Sequence, residues 1–156
     1  MGADGVGTAG YPDARIELIE GETIDLPPIA PPHAGRTKRL NLLLIEAIGR
    51  RAIVSTQDPI LLGGLSAPEP DLAILKPRDD FYTSAHPRAE DILRLIEIAD
   101  SSVRYARKRK LPLYARFAIP EVWLIDIPAR AVWVHREPTA GAYRTSSRAR
   151  VTAGSR

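Results

Sequence analysis

Apolar residues are spaced in two different ways along the chain, and each spacing predicts one kind of element. Steps of three and four over residues 33–50 and 102–118 predict two helices. Alternating or continuous apolar runs predict a hairpin over residues 15–26 and strands at 52–55, 59–62, 70–75, 92–99, 121–127 and 131–136. Because strands alternate with two helices, we expect the α/β or α+β class, with a mixed sheet flanked by helices.

The two ends of the chain differ in composition from its middle. Residues 1–13 are rich in glycine and alanine and show no periodicity, so we expect a flexible lead-in. Residues 144–156 are polar and basic, and this composition predicts a disordered basic tail. A single domain over residues 14–143 is therefore expected between them.

Composition excludes several classes of protein. Because the chain has no cysteine, it has no disulfide framework and no thiolate metal site. No apolar run approaches the roughly 20 residues of a membrane span, and the N-terminus lacks the basic and apolar stretches of a secretory signal. We therefore expect a cytoplasmic location and no membrane partner.

Lys110 interrupts the apolar face of the second predicted helix. The residues of that face are Val103, Ala106, Lys110, Leu113 and Phe117. The predicted strand just before the helix, Ile92–Ala99, carries Glu97 among apolar residues. The two charged residues form either an ordinary buried ion pair, a lysine that reaches solvent past the sheet edge, or part of a polar site.

Asp71 adds a second carboxylate at the start of the strand predicted over residues 70–75. Two carboxylates and a lysine match the needs of metal-dependent phosphodiester hydrolysis. Carboxylate oxygens hold Mg²⁺ (or Mn²⁺), and the metal polarises the phosphate and activates water. A lysine offsets the charge that grows on the phosphate oxygens. The spacing alone does not establish a nuclease, because many unrelated domains contain these three residue types.

Basic residues cluster around Lys110 in the sequence. They could meet nucleic-acid phosphates, or they could form the solvated side of an amphipathic helix. Trp123 and Trp133 could stack on bases, but each lies in an apolar strand, which favours core packing. The basic cluster consists of Arg104, Arg107, Lys108 and Arg109.

Six stretches follow one another in a specific order. They are 15–22 (RIELIEGE), 32–33 (PH), 69–72 (EPDL), 95–102 (LIEIADSS), 110–114 (KLPLY) and 119–126 (IPEVWLID). In this combination, from about Pro12 to about Tyr143, the chain resembles the Uma-two family. That family is a bacterial branch of the PD-(D/E)XK, restriction-endonuclease-like nucleases.

The resemblance implies a restriction-endonuclease-like mixed sheet with a Mg²⁺ site at its cleft and DNA as the substrate. It assigns Asp71 and Glu97 to the metal and Lys110 to catalysis. Glu22 and His33 also match family positions, although Glu22 could simply pair across the hairpin and His33 could serve the helix N-terminus. Cutting both strands with one site per chain would suit a homodimer.

Ala106 is the main departure from the family. Members usually carry an aspartate here, one helical turn from Lys110 on the same face. Lys108 also replaces a residue that is usually small or acidic. We further expect that the family's N-terminal helical segment is missing, and that its strand and proline-rich close after Tyr143 are replaced by a polar tail. Two hypotheses follow: a metal-dependent DNA endonuclease, or a catalytically impaired nuclease-fold module that binds nucleic acid or protein.

Overall fold

The computed structural model describes residues 15–150, which contain a hairpin, a six-stranded sheet and two main helices. The hairpin strands are β1 (Arg15–Ile19) and β2 (Glu22–Leu26), and the first helix is α1 (Pro31–Ile48). The sheet strands are β3 (Ile53–Thr56), β4 (Leu72–Leu75), β5 (Ile92–Ala99), β6 (Glu121–Asp126), β7 (Ala131–Pro138) and β8 (Tyr143–Arg150). The second helix, α2, covers residues 103–116, and single 3₁₀ turns occupy Gly49–Arg51 and Ala89–Asp91.

The sheet has the strand order β3-β4-β5-β6-β7-β8. Only β5 and β6 run parallel, because α2 carries the chain back across the sheet between them. Every other neighbouring pair is antiparallel. The result is a mixed sheet of the predicted class.

The central strand β5 is buried on both faces, which explains its nearly continuous apolar sequence. Ile96 and Ile98 pack with Leu44 of α1 on one face of the sheet. The alternate residue Leu95 packs with Leu113 of α2 on the other face. By the same alternation, Glu97 points towards α2. Within residues 15–150, neither helix is long and apolar enough to cross a membrane.

Helix α2 contains a π-helical turn, Ala106–Lys110, between the α-helical segments Val103–Tyr105 and Leu111–Arg116. The N–H of Leu111 bonds to the carbonyl of Ala106, five residues earlier. Because proline has no N–H to donate, Pro112 in the sequence predicts a kink in the helix or an early end to its regular part. The helix instead continues to Arg116, and its irregularity lies in the turn just before the proline.

Two predictions about strands were wrong. Residues 59–62 do not form a strand: Ile60 and Leu62 are buried, but this stretch makes only isolated bridges. The start of the supposed disordered tail is strand β8, which pairs with β7 along its length. An edge strand tolerates polar side chains because its hydrogen bonds to one neighbour suffice. The expected lead-in over residues 1–13 and the end of the tail lie outside the described residues.

Candidate active site

The sheet register brings Asp71 and Glu97 side by side. Leu72 pairs with Ile96 in antiparallel strands, so the residue before Leu72 lies opposite the residue after Ile96. The N–H of Ile98 donates to Asp71 Oδ2 at 2.7 Å, which fixes the carboxylate at the end of β4. Both carboxylates are more than nine-tenths buried.

Lys110 reaches these carboxylates from α2. Its Nζ lies 2.9 Å from Glu97 Oε2 and 2.6 Å from Glu17 Oε1. The lysine is 4% exposed, so the hypothesis of an ammonium reaching solvent past the sheet edge is wrong. Asp71, Glu97 and Lys110 therefore lie together, as the sequence predicted, although the ion pair includes a third acid.

Glu17 is the acid that sequence reasoning missed. Its Oε1 accepts hydrogen bonds from Lys110 Nζ and from the N–H of Glu69 at 2.8 Å, and its residue is 1% exposed. In the sequence, Ile16, Leu18 and Ile24 alternate with charged residues, and this alternation wrongly indicated the face opposite to Glu17 as the buried one. Ile16 is exposed and Ile19 is buried, so Glu17 lies on the inner face with Ile19. Ile19 is the one apolar residue of β1 on that face, which was too weak a signal to predict it.

Two tyrosines of α2 bond to the buried acids. Tyr114 Oη donates to Glu97 Oε2 at 2.6 Å, and Tyr105 Oη donates to Glu17 Oε2 at 3.0 Å. Burial raises the pKa of both hydroxyls, so each keeps its proton. The tyrosines therefore hold both glutamates in position by donating hydrogen bonds.

Charge in this cluster is unbalanced, because three carboxylates face one ammonium. Burial raises the pKa of Glu97 to about 7, and the charges of Asp71 and Glu17 add to this rise against the opposing effect of Lys110. Burial alone would lower the pKa of Lys110, but the attraction of Glu97 and Glu17 outweighs it and raises that pKa. Lys110 is therefore a fixed cation, whereas Glu97 titrates near neutrality.

Replacing Glu97 with glutamine is expected to flatten the pH dependence of stability. The folded-state pKa of Glu97 lies above its ordinary value of 4.5, so the folded state binds more protons between pH 4.5 and about 7. The free energy of unfolding should therefore fall across that window, by up to about 3 kcal/mol from this group. Urea unfolding at pH 5 and pH 8 measures the fall, which should shrink in Glu97→Gln. Glu46→Gln, at an exposed site of α1, is the control, and an equal fall in wild type and Glu97→Gln would contradict the prediction.

His33 and Glu22, the two further residues that the family resemblance assigns to the site, differ in whether they contact the buried cluster. His33 Nε2 is 2.8 Å from Asp71 Oδ1, and this hydrogen bond raises the pKa of His33. Glu22 is mostly exposed and pairs with Arg109 of α2 at 3.2 Å. His33 therefore belongs to the cluster, whereas Glu22 contributes a surface ion pair between the hairpin and α2, not a pair across the hairpin.

An open cleft of about 520 Å³ gives access to the cluster. Its floor includes Asp71, Glu97 and Lys110, and Ala106 lines it from the π-helical turn. Further lining residues include Arg15, Glu17, His33, Arg36, Glu69, Asp100 and Tyr105. A polar floor of this kind, reached from solvent, is where a charged substrate could be held.

The donor atoms of the cleft suit a hard cation. Among residues 15–150, no three acidic or histidine side chains are arranged as a complete metal cage. Asp71 and Glu97 nevertheless supply carboxylate oxygens side by side, in a cluster with an excess of negative charge. Mg²⁺ and Mn²⁺ accept few protein ligands and keep several waters, so this pair fits such an ion.

The four basic residues of the predicted cluster have different surroundings. Arg109 pairs with Glu22, and Arg107 lies over the ring of Trp133, with Asp126 3.9 Å away. Arg104 and Lys108 are exposed, and neither forms an ion pair within residues 15–150. The cluster is therefore partly a solvated helix face and partly a set of anchored arginines.

Comparison with known proteins agrees with the fold and the motifs. Residues 9–153 match the Uma2 family, described as "Putative restriction endonuclease". The fold is similar to the crystal structure of a "putative nuclease belonging to DUF820" from Anabaena variabilis ATCC 29413. The two chains are 18% identical, and the similarity covers 85% of this chain and 75% of that chain with a TM-score of 0.66. No curated protein matches the chain. The chain belongs to the Uma2 family, and its restriction-endonuclease-like fold is the one that its sequence motifs predicted.

Proposed function

We propose that this protein is a metal-dependent endonuclease that hydrolyses phosphodiester bonds of DNA. The observation that carries the proposal is the meeting of Asp71, Glu97 and Lys110 on the floor of one cleft. Asp71 directly precedes β4, whereas Glu97 lies in β5 and Lys110 in α2, and burying three charged groups carries a desolvation cost that core packing does not require. Membership of the Uma2 family supports the same reaction class.

Asp71 and Glu97 are the proposed holders of Mg²⁺ or Mn²⁺. When bound, such an ion polarises a phosphate oxygen and lowers the pKa of a coordinated water. The Ile98 N–H keeps Asp71 oriented, and Tyr114 does the same for Glu97. Such supporting hydrogen bonds hold carboxylates in a fixed geometry.

Lys110 is the proposed stabiliser of charge on the phosphate. Its ammonium has three N–H groups, of which two point to Glu17 and Glu97. The third can donate to a phosphate oxygen or to the attacking water. Because its pKa is raised, Lys110 keeps its proton and acts as a cation, not as a general base. Glu17 acts through Lys110 and is a positioning residue.

Incubation with supercoiled plasmid and with single-stranded DNA tests this proposal directly. In Mg²⁺ or Mn²⁺ the purified protein should nick or linearise the plasmid, and EDTA should stop the reaction. Folded protein that cuts neither substrate in either metal would overturn the proposal. The expected homodimer stays a prediction, which sedimentation measurements of the molecular mass would test.

A second candidate function is a nuclease-fold module that binds nucleic acid or protein without cutting. Ala106 favours it, because this buried residue lines the cleft at the position where the family resemblance implies an aspartate. The retained Asp71, Glu97 and Lys110 favour activity instead.

The Ala106→Asp variant separates the two candidates. We expect the wild type to cut already, and Ala106→Asp to bind Mn²⁺ several-fold more tightly, since it adds a carboxylate beside Lys110. Ala106→Asn has nearly the same size without the charge and is the control. If only Ala106→Asp cleaves DNA, the wild type is inactive because it lacks this carboxylate, and the second candidate is supported. Plasmid cleavage and Mn²⁺ titration give the two measurements.

A further inference from the structure

The ring of one tryptophan, Trp133, has cation–π contacts with arginines from two distant parts of the chain. Trp133 of β7 pairs in register with Arg148 of β8, and the guanidinium of Arg148 lies 5.5 Å from its ring centre. The guanidinium of Arg107, from α2, lies 4.9 Å from the same ring. The strand that sequence reasoning took for a disordered tail therefore adds a cation to the basic cluster of α2.

Both guanidinium groups lie within the distance of a cation–π contact with the indole, and such a contact leaves the N–H edges of a guanidinium able to donate. Planar guanidinium groups bind phosphate through these edges while their faces lie on an aromatic ring. The ring of Trp133 is covered by the arginines, so this side chain does not serve as a base-stacking platform. Its role is to hold two cations close together.

Further cations continue this surface along α2. Arg104 lies directly before the π-helical turn, and Arg107 and Lys108 lie within it, so the three cations come from five consecutive residues of α2. Asp126, 3.9 Å from Arg107, is the nearest acid and is itself largely buried. In the part of the chain that the structure describes, Arg148, Arg104 and Lys108 have no ion-pair partner. We call Arg104, Arg107, Lys108 and Arg148 the α2–β8 basic surface.

This surface adjoins the cleft. Ala106 lines the cleft, and Arg107 follows it in the chain. Ala99, at the end of β5 that lines the cleft, pairs with Asp126 of β6, and Asp126 pairs with Ala131, the first residue of β7. Trp133 is therefore two residues from the end of β7 that is level with the cleft. Strands two apart in a sheet are separated by about 10 Å, which corresponds to about three phosphates of one strand along the axis of a DNA duplex.

We propose that the α2–β8 basic surface binds backbone phosphates of the DNA whose scissile bond lies in the cleft. This inference rests on the proposed function and adds to it the path of the DNA, from the cleft across α2 towards the edge strand. Because phosphate contacts carry no sequence information, the surface contributes affinity and orientation to any DNA sequence.

Binding of a fluorescein-labelled 20-base-pair duplex, measured by anisotropy in EDTA, tests the surface without cleavage. Arg148→Ala should weaken binding about five- to tenfold at low salt and reduce the slope of log K against log salt by about one. The matched control is Arg136→Ala on the neighbouring strand, because Arg136 is paired with Glu121 and its side chain lies on the opposite face of the sheet. The control should change affinity less than twofold.

The outcomes separate the surface from the catalytic proposal. Weaker binding by Arg148→Ala supports the surface even if no variant cuts DNA, in which case only the catalytic proposal fails. If the wild type binds the duplex and the double variant Arg107→Ala/Arg148→Ala binds it equally well, the surface is not used and the inference is overturned. The inference is also overturned if the wild type cuts plasmid but Arg148→Ala and the double variant bind the duplex with the same affinity and salt dependence as the wild type.

Discussion

Replacing Lys110 with methionine is expected to abolish DNA cleavage and to destabilise the protein. The change removes the ammonium that contacts both Glu17 and Glu97, which are both almost fully buried. Breaking a buried ion pair by removing one partner costs about 3–5 kcal/mol, since a charge is left without compensation. Loss of a group that stabilises charge on the reacting phosphate should lower the cleavage rate by at least about 100-fold. Urea unfolding and plasmid cleavage measure the two effects.

Lys110→Arg is the companion variant, because it keeps the positive charge. We expect it to retain most of the stability but to lose cleavage by more than about tenfold, since the planar guanidinium cannot occupy the position of Nζ. Both variants need a circular dichroism spectrum like that of the wild type. Cleavage at the wild-type rate by folded Lys110→Met would show that the lysine is purely structural.

Replacing Asp71 with asparagine is expected to remove divalent-metal binding while the fold survives. The asparagine oxygen can still accept the hydrogen bond from Ile98, so the end of β4 stays in place. The loss of one of two proposed ligands should weaken Mn²⁺ binding by about 100-fold or more, because the neutral amide is a poorer ligand. Titration calorimetry or the electron paramagnetic resonance signal of free Mn²⁺ gives the affinity.

Asp126→Asn is the matched control for this experiment. Asp126 ends the neighbouring strand β6 at the same edge of the sheet, but it does not line the cleft. Its replacement should leave Mn²⁺ affinity within about twofold of the wild type. Equal Mn²⁺ affinities for Asp71→Asn and wild type would remove the metal site from the proposal.

The central part of the site was accessible from the sequence because its physical signals are local. Strand β5 was predicted with the observed bounds, since a run of eight residues, all apolar except Arg94 and Glu97, between polar loops is a strong pattern. Glu97 and Lys110 stood out because each is charged at a position whose neighbours are buried. Once their elements were assigned, their facing directions followed from strand and helix periodicity.

Glu17 could not be predicted as a site residue in this way, because the residues that bury it are distant in the sequence. Its main partner, Lys110, is 93 residues away, and β1 belongs to a hairpin outside the six-stranded sheet. Strand β8 was missed for a related reason: its polar sequence gives no hydrophobic signal, and its conformation depends on the hydrogen bonds that β7 offers.

The π-helical turn in α2 determines which residues share a helix face with Lys110, and it explains why the sequence did not indicate Tyr105 as part of the site. In an uninterrupted α-helix, Tyr105 would lie about 140° around the axis from Lys110, facing away from the site. A turn closed by a bond to the fifth preceding residue holds one residue more, which rotates everything before it by about 100°. Tyr105 and Tyr114 therefore flank Lys110 on one face. The turn is in effect a one-residue insertion that keeps both flanks of the helix in register. A chain lacking the exposed Lys108 would place Tyr105 four residues before the lysine, about 40° around the axis and still beside Glu17, whereas the present sequence wound as a regular α-helix would lose that contact.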